Sequence, residues 1–188
     1  MILPVVAYGD PVLRAVAKDI NKDHPALMEL VGNMFETMYS ASGVGLAAPQ
    51  VGQSIRLFVI DASPFSDEDP SLDGFKRVFI NARILEESGE DWVFNEGCLS
   101  FPGLREDIVR KSIIRLRWLD EDFKEQEETF DGLRARVIQH EYDHIEGILF
   151  TDKISMLKKT LIKKKLQNIM DGKARPDYRM KFANKKGR

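Results

Sequence analysis

The segment Gln139-His140-Glu141-Tyr142-Asp143-His144 places two of the chain's three histidines four residues apart with an acid between them, and Glu96-Gly97-Cys98-Leu99-Ser100 holds its one cysteine. On a helix, a four-residue step returns to the same face about one turn on, so both imidazoles can reach one metal ion. The glutamate between them points at the same region without having to be a ligand, and can move a proton on a water held there. A catalytic metal also needs a third protein ligand and an open position. One metalloprotease class supplies a further histidine six residues on, but position 150 is phenylalanine. Another uses a downstream glutamate, and none follows Glu146. Asp152, Asp171 and Asp177 remain, in or beside lysine-rich sequence. Cys98 has the right chemistry, because a thiolate with two imidazoles is a known catalytic ligand set. The bland alternatives are core histidines without a metal and a cysteine that acts as a small hydrophobe. A glycine-flanked turn is an unusual place for such a filler.

These residues need elements to position them. Asp131 is placed to cap a helix over about 132–146, with Leu133, Val137, Ile138 and Ile145 as its apolar positions and Gly147 at its end. Both histidines fall inside it. Asp10-Pro11 starts a short helix, and Pro25 to about Ala41 carries Leu27, Leu30, Val31, Met34 and Met38 at helical spacing. Runs rich in β-branched and aromatic residues predict strands at Arg56–Asp61, Arg77–Leu85, Trp92–Asn95, Ile108–Leu119 and Glu127–Phe130, with an acidic loop from Ser63 to Gly74. The outcome is an α+β fold: mostly antiparallel strands packed around a central His-Glu-x-x-His helix, followed by a C-terminal helix.

With Gly43-Val44-Gly45-Leu46-Ala47-Ala48-Pro49-Gln50 added to the two segments above, three motifs stand in order, and together they closely resemble the three signature motifs of peptide deformylase over about residues 4–155. That resemblance implies a metal-dependent hydrolase that removes the formyl group from the N-terminal formyl-methionine of newly made proteins. It implies Cys98, His140 and His144 as ligands of one divalent metal, natively Fe2+, with Zn2+, Ni2+ or Co2+ able to substitute. Glu141 would serve as general base and then acid, with Gln50 and the Leu99 backbone N–H donating to the developing oxyanion. Val44, Leu99 and Val137, with the His140 ring, would line a methionine slot, and Gly45 would pair with an extended substrate. A cramped site would reject acetyl. Two further expectations come from chemistry alone. Asp143 is placed to orient a ligating histidine, and Glu96 to pair with Arg105.

The 188 residues suit one domain with a sizeable core. No leader-like start and no long apolar run are present, and a single cysteine cannot close an internal disulfide, so a cytoplasmic location is expected, with no membrane and no DNA partner. The net charge of −2 conceals an asymmetry, because residues 151–188 hold 13 Lys/Arg against three Asp. Ser155 is placed to cap a helix to about Asp171, with an apolar stripe of Met156, Leu157, Leu161, Ile162, Leu166, Ile169 and Met170, and with its lysines mostly off that stripe. The single catalytic domain is therefore read as 1–172, and 173–188 as a basic, flexible tail whose removal should leave hydrolysis of a short formyl peptide intact. A solvated helix face is the plain reading of those charges. The resemblance adds attraction to the ribosome. Two rival classes stand against a deformylase: a metalloprotease, and an RNA-binding module with a structural metal in which His24 is the obvious fourth ligand.

Overall fold

Runs rich in β-branched and aromatic residues between 45 and 131 build one five-stranded antiparallel sheet, its strands neighbouring one another in chain order. A computed structural model describes residues 1–184. The strands of this sheet are β2 (Gly45–Ala47), β3 (Leu57–Asp61), β4 (Lys76–Gly97), β5 (Arg105–Leu119) and β6 (Glu125–Asp131). The two strands expected at Arg77–Leu85 and Trp92–Asn95 are one continuous β4. The polar stretch between them reads as a break in isolation, but β5 supplies a ladder along its length. The chain absorbs the mismatch in register shifts at Ile80/Arg83, Ile84/Glu86 and Ser88/Asp91.

Among the described residues, three α-helices accompany the sheet: α1 (Leu27–Ser40), α2 (Gly132–Ile145) and α3 (Met156–Met170). The α1 stripe packs Val31, Met34 and Met38 against Leu46, Leu57, Val59 and Ile80. Helix α2 carries the two histidines and is enclosed. Its Ala135, Ile138 and Ile145 join Phe58, Phe79, Phe130 and Trp118 in the core under the sheet. Asp131 stands at the α2 N-cap but makes no capping bond, because its carboxylate takes the Arg134 guanidinium at 2.9 Å. At its other end Gly147 has φ +70°, and an added Cβ would lie 2.6 Å from the Arg14 carbonyl oxygen.

The C-terminal region departs from its sequence reading in two places. Ser155 does cap α3, accepting from the Lys158 N–H at 3.3 Å. Only the lower part of the expected apolar stripe docks, however. Ile162 and Ile169 are buried, whereas Met156, Leu157 and Leu161 are 76%, 71% and 74% exposed. After α3 the chain turns back, and β7 (Met180–Lys181) pairs in parallel with β1 (Val5–Val6). The segment read as flexible from residue 173 is thus tied to the N-terminus by main-chain hydrogen bonds that composition cannot signal. Lys185, Lys186 and Arg188 of that predicted tail lie outside the described residues. No described helix is long and apolar enough to cross a membrane.

Candidate metal centre

Helix α2 and the turn after β4 converge. The donor atoms of Cys98, His140 and His144 all lie within 4.8 Å of one another, and Cys98 Sγ is 3.2 Å from His144 Nε2. The two histidines meet through the helical repeat, and Cys98 meets them because β4 pairs with β5 up to Gly97↔Arg105 and then releases the chain. The group is one sulfur donor and two imidazoles, of which Cys98 and His140 line a cavity of about 620 Å³.

The fit to a cation rests on the surroundings of the donors. His140 Nδ1 lies 2.9 Å from Glu96 Oε2, so that nitrogen carries the proton and Nε2 is left as the donor. Burial works against charge on His140, but the Cys98 sulfur and Glu96 carboxylate hold its pKa well above the ordinary value. Burial pulls His144 well below it, which keeps that ring neutral. The pocket between these donors therefore favours positive charge, and a neutral imidazole and a sulfur stand ready beside it.

Glu96 is the anchor of a buried ionic cluster. It accepts two bonds from Arg110, at 2.7 and 3.0 Å, and one from Arg136 at 2.9 Å. Arg110 also donates to Asp143 at 2.7 Å. Arg110, Arg136 and Glu96 are 6%, 2% and 4% exposed, so these are desolvated charges held by mutual pairing. Burial opposes ionisation of Glu96, yet His140 and Arg110 pull its pKa far below the usual carboxylate range. Two expectations are corrected here. Glu96 does not pair with Arg105, whose guanidinium reaches Asn95 Oδ1 at 2.9 Å from the exposed side of β4–β5. Asp143 does not orient a ligating ring. Its carboxylate is instead bound to Arg110 at 2.7 Å and lies 3.4 Å from Lys153, and Glu96 takes the expected place beside His140. Arg110 carries no sequence signal for this role. Arg136 carries a weak one, lying four residues before His140 on the same helix face.

The other expected residues gather around the same cavity. Glu141 lines it, with its carboxylate buried, one oxygen without a hydrogen-bond partner and its pKa pushed by burial up to about 7. Gln50 accepts from the Ala47 N–H at 2.9 Å, which fixes its amide and turns its NH2 toward Cys98 Sγ at 3.4 Å and Ser100 Oγ at 3.3 Å. The Leu99 N–H has no hydrogen-bond partner among the described residues. Val44, Gly45, Leu99 and Val137 line the cavity as well. Gly45 is there for want of a side chain: a Cβ at that position would lie 2.5 Å from Glu141 Oε1. Gly45→Ala should therefore displace the carboxylate and lower activity roughly tenfold or more, since a misplaced proton-transfer group loses much of its contribution. Metal content, measured alongside turnover, should be unchanged. His24, the spare histidine, is not part of the metal-ligand group.

Comparison with known proteins agrees with this geometry. The sequence matches the family model described as polypeptide deformylase over residues 2–160. It is 62% identical to the peptide deformylase of Flavobacterium psychrophilum over 99% of this chain and 100% of that one. The peptide deformylase of Flavobacterium johnsoniae is 63% identical, with both chains covered in full. Among solved structures, a peptide deformylase from Legionella pneumophila superposes with a TM-score of 0.80 at 38% identity, covering 93% of this chain and 99% of that one. One from Synechococcus elongatus in complex with actinonin gives 0.75 at 37% identity, covering 95% and 92%.

Proposed function

The chain belongs to the polypeptide deformylase family, and from that premise and its own site we propose that it removes the formyl group from the N-terminal formyl-methionine of nascent peptides, releasing formate. The observation that carries this reading is the Cys98–His140–His144 donor group, whose Cys98 and His140 share one cavity with the buried Glu141 carboxylate. Cys98, His140 and His144 would hold a divalent metal, which supplies a Lewis acid that makes water a nucleophile near neutral pH. We take that metal to be Fe2+, with Zn2+, Ni2+ or Co2+ able to substitute. The mixed sulfur and imidazole donors suit all four.

Glu141 accepts the proton of the attacking water and returns it to the leaving amine. Its raised pKa matches a group that must take up and give back a proton near neutrality. The NH2 of Gln50, aimed by the Ala47 contact, and the unpartnered Leu99 N–H donate to the oxyanion that forms on the formyl oxygen. Val44, Leu99 and Val137 enclose the methionine side chain. Strand β2 is an edge of the sheet, so an extended peptide can add beside Gly45 through main-chain hydrogen bonds. A metalloprotease reading gains nothing from the structure, since Phe150 is packed against Phe101 in the core and offers no ligand.

The test is formate release from formyl-Met-Ala-Ser by protein purified without oxygen. Chelation should abolish turnover, and metal restoration should return it. With Fe2+ bound, activity should decay in air, because the metal and Cys98 both oxidise, and exchange to Ni2+ should slow the decay. Activity stable for days in air with iron verified as bound would remove Fe2+ as the working metal.

We also propose that α3 brings the enzyme to the ribosome. What supports this is the exposed Met156, Leu157 and Leu161 beside Lys163 and Lys164, which make no ion pair among the described residues. Lys163→Glu with Lys164→Glu should weaken low-salt co-sedimentation with ribosomes and leave peptide turnover unchanged, because both side chains are exposed and neither lines the cavity. Equal sedimentation would reduce these lysines to a solvated face.

A further inference from the structure

One wall of the catalytic cavity comes from outside the span that defines the family. The family match ends at residue 160, and Tyr178 lies well beyond it. Tyr178 nevertheless lines the cavity together with Cys98, Leu99 and Glu141. With Pro102 and Gly103 it also borders a second cavity of about 410 Å³, enclosed by α3 and the following turn. Tyr178 therefore forms part of the partition between the two, with Pro102 and Gly103. It is not brought there by a loose terminus. On its C-terminal side the Arg179 carbonyl accepts from the Val5 N–H and the Lys181 carbonyl from the Ala7 N–H, both at 2.9 Å. On its N-terminal side the Lys173 N–H folds back onto the Asn168 carbonyl of α3 at 2.9 Å.

The hydroxyl of Tyr178 donates to the Leu99 carbonyl at 2.8 Å. That bond completes a pattern. Three consecutive carbonyls of the loop that carries Cys98 are each taken by a different donor. The Cys98 carbonyl accepts from the Phe101 N–H at 2.9 Å, the Leu99 carbonyl from Tyr178, and the Ser100 carbonyl from the Tyr8 N–H at 2.9 Å. The Leu99 N–H shares its peptide unit with the Cys98 carbonyl, and the Tyr178 bond holds the next unit, so the two bonds together fix the turn at Leu99 from both sides. Only the middle bond depends on a side chain. Burial, reinforced by the negative charge of Cys98 and Asp177, raises the Tyr178 pKa far above its ordinary value, so the phenol is a donor at every working pH.

We propose that Tyr178 is a positioning residue for deformylation: its hydroxyl holds the Leu99 carbonyl so that the adjoining Leu99 N–H meets the developing oxyanion, which makes the C-terminal segment part of the active site. The inference rests on the deformylase reading above. It also reverses the expectation that residues after 172 can be removed without cost to catalysis, because that cut takes away Tyr178 together with β7.

Tyr178→Phe tests it, since the substitution keeps the ring and removes only the hydrogen bond. The full-length metal-loaded protein is assayed for formate release from formyl-Met-Ala-Ser, with metal content and melting temperature measured on the same preparation. A wild-type protein that releases no formate refutes the deformylase reading. Given an active wild type, Tyr178→Phe should lower kcat about fivefold, the effect of one lost positioning hydrogen bond, with KM, metal content and melting temperature unchanged. Tyr178→Ala, which also opens the partition, should lower kcat at least as far and raise KM. A Tyr178→Phe protein with wild-type kcat, or with a loss confined to KM, or with a loss that follows metal content or melting temperature, overturns the proposal.

Discussion

Glu141→Ala should retain its metal and lose about 10²–10⁴-fold in formate release, the range that a positioned proton-transfer group contributes. The carboxylate is 4% exposed, one of its oxygens has no hydrogen-bond partner, and Gly45 leaves it the room it occupies. A group held so poorly by its surroundings is held for chemistry, and its loss should cost the fold little. The metal-free variant should melt no lower than the metal-free wild type. The sign follows from burial, which raises the folded-state pKa from 4.5 to about 7. A buried acid with a raised pKa binds its proton more tightly when folded, so it costs nothing below its unfolded pKa and opposes folding increasingly from there toward neutrality. Any advantage of the alanine variant should therefore be absent in acid and appear near neutral pH. Turnover close to that of the wild type would remove Glu141 from the mechanism.

The largest effect on stability is expected at Glu96. Glu96→Gln keeps the shape but takes away the charge that two buried guanidiniums and the His140 ring share. Breaking such a cluster by removing one partner costs about 3–5 kcal/mol, because the remaining charges stay desolvated. For a chain of this size that corresponds to a fall of roughly 10 °C in melting temperature. The pKa of Glu96 is depressed in the folded state. Its stabilisation is thus fully present above the ordinary carboxylate value and is lost only as the pH drops far below it. The gap between variant and wild type should hold across neutral and mildly acidic pH and close in strong acid. Metal affinity should also fall about 10–100-fold, since the His140 ring loses its orienting partner. A variant that melts and binds metal like the wild type would show that Arg110, Arg136 and His140 do not depend on this carboxylate.

The sequence by itself determined what is local. The spacing of His140 and His144 is one helical step, and Leu133, Val137, Ile138 and Ile145 mark the helix that carries it, so the face shared by the two rings is a property of the chain alone. The order of the three motifs, read as a resemblance, gave Cys98, Gln50, Leu99 and Gly45 their expected places, and the structure brings all of them to one cavity. Tertiary structure decided the partners that lie far apart in the chain. Glu96 is fourteen residues from Arg110 and forty from Arg136, and nothing in composition distinguishes those arginines from Arg105, which is nearer in sequence and faces solvent. Strand pairing sends Arg110 inward and Arg105 outward, because successive residues of β5 alternate faces. The same limit hid the C-terminal segment. Its residues carry no clear periodicity, since β7 is only two residues long and is held by main-chain bonds to β1, with Met180 and the neighbouring Phe182 packed against the core. A main-chain ladder between the two ends of a chain leaves no local mark, so the contact of Tyr178 with Leu99 is decided only when the ends meet.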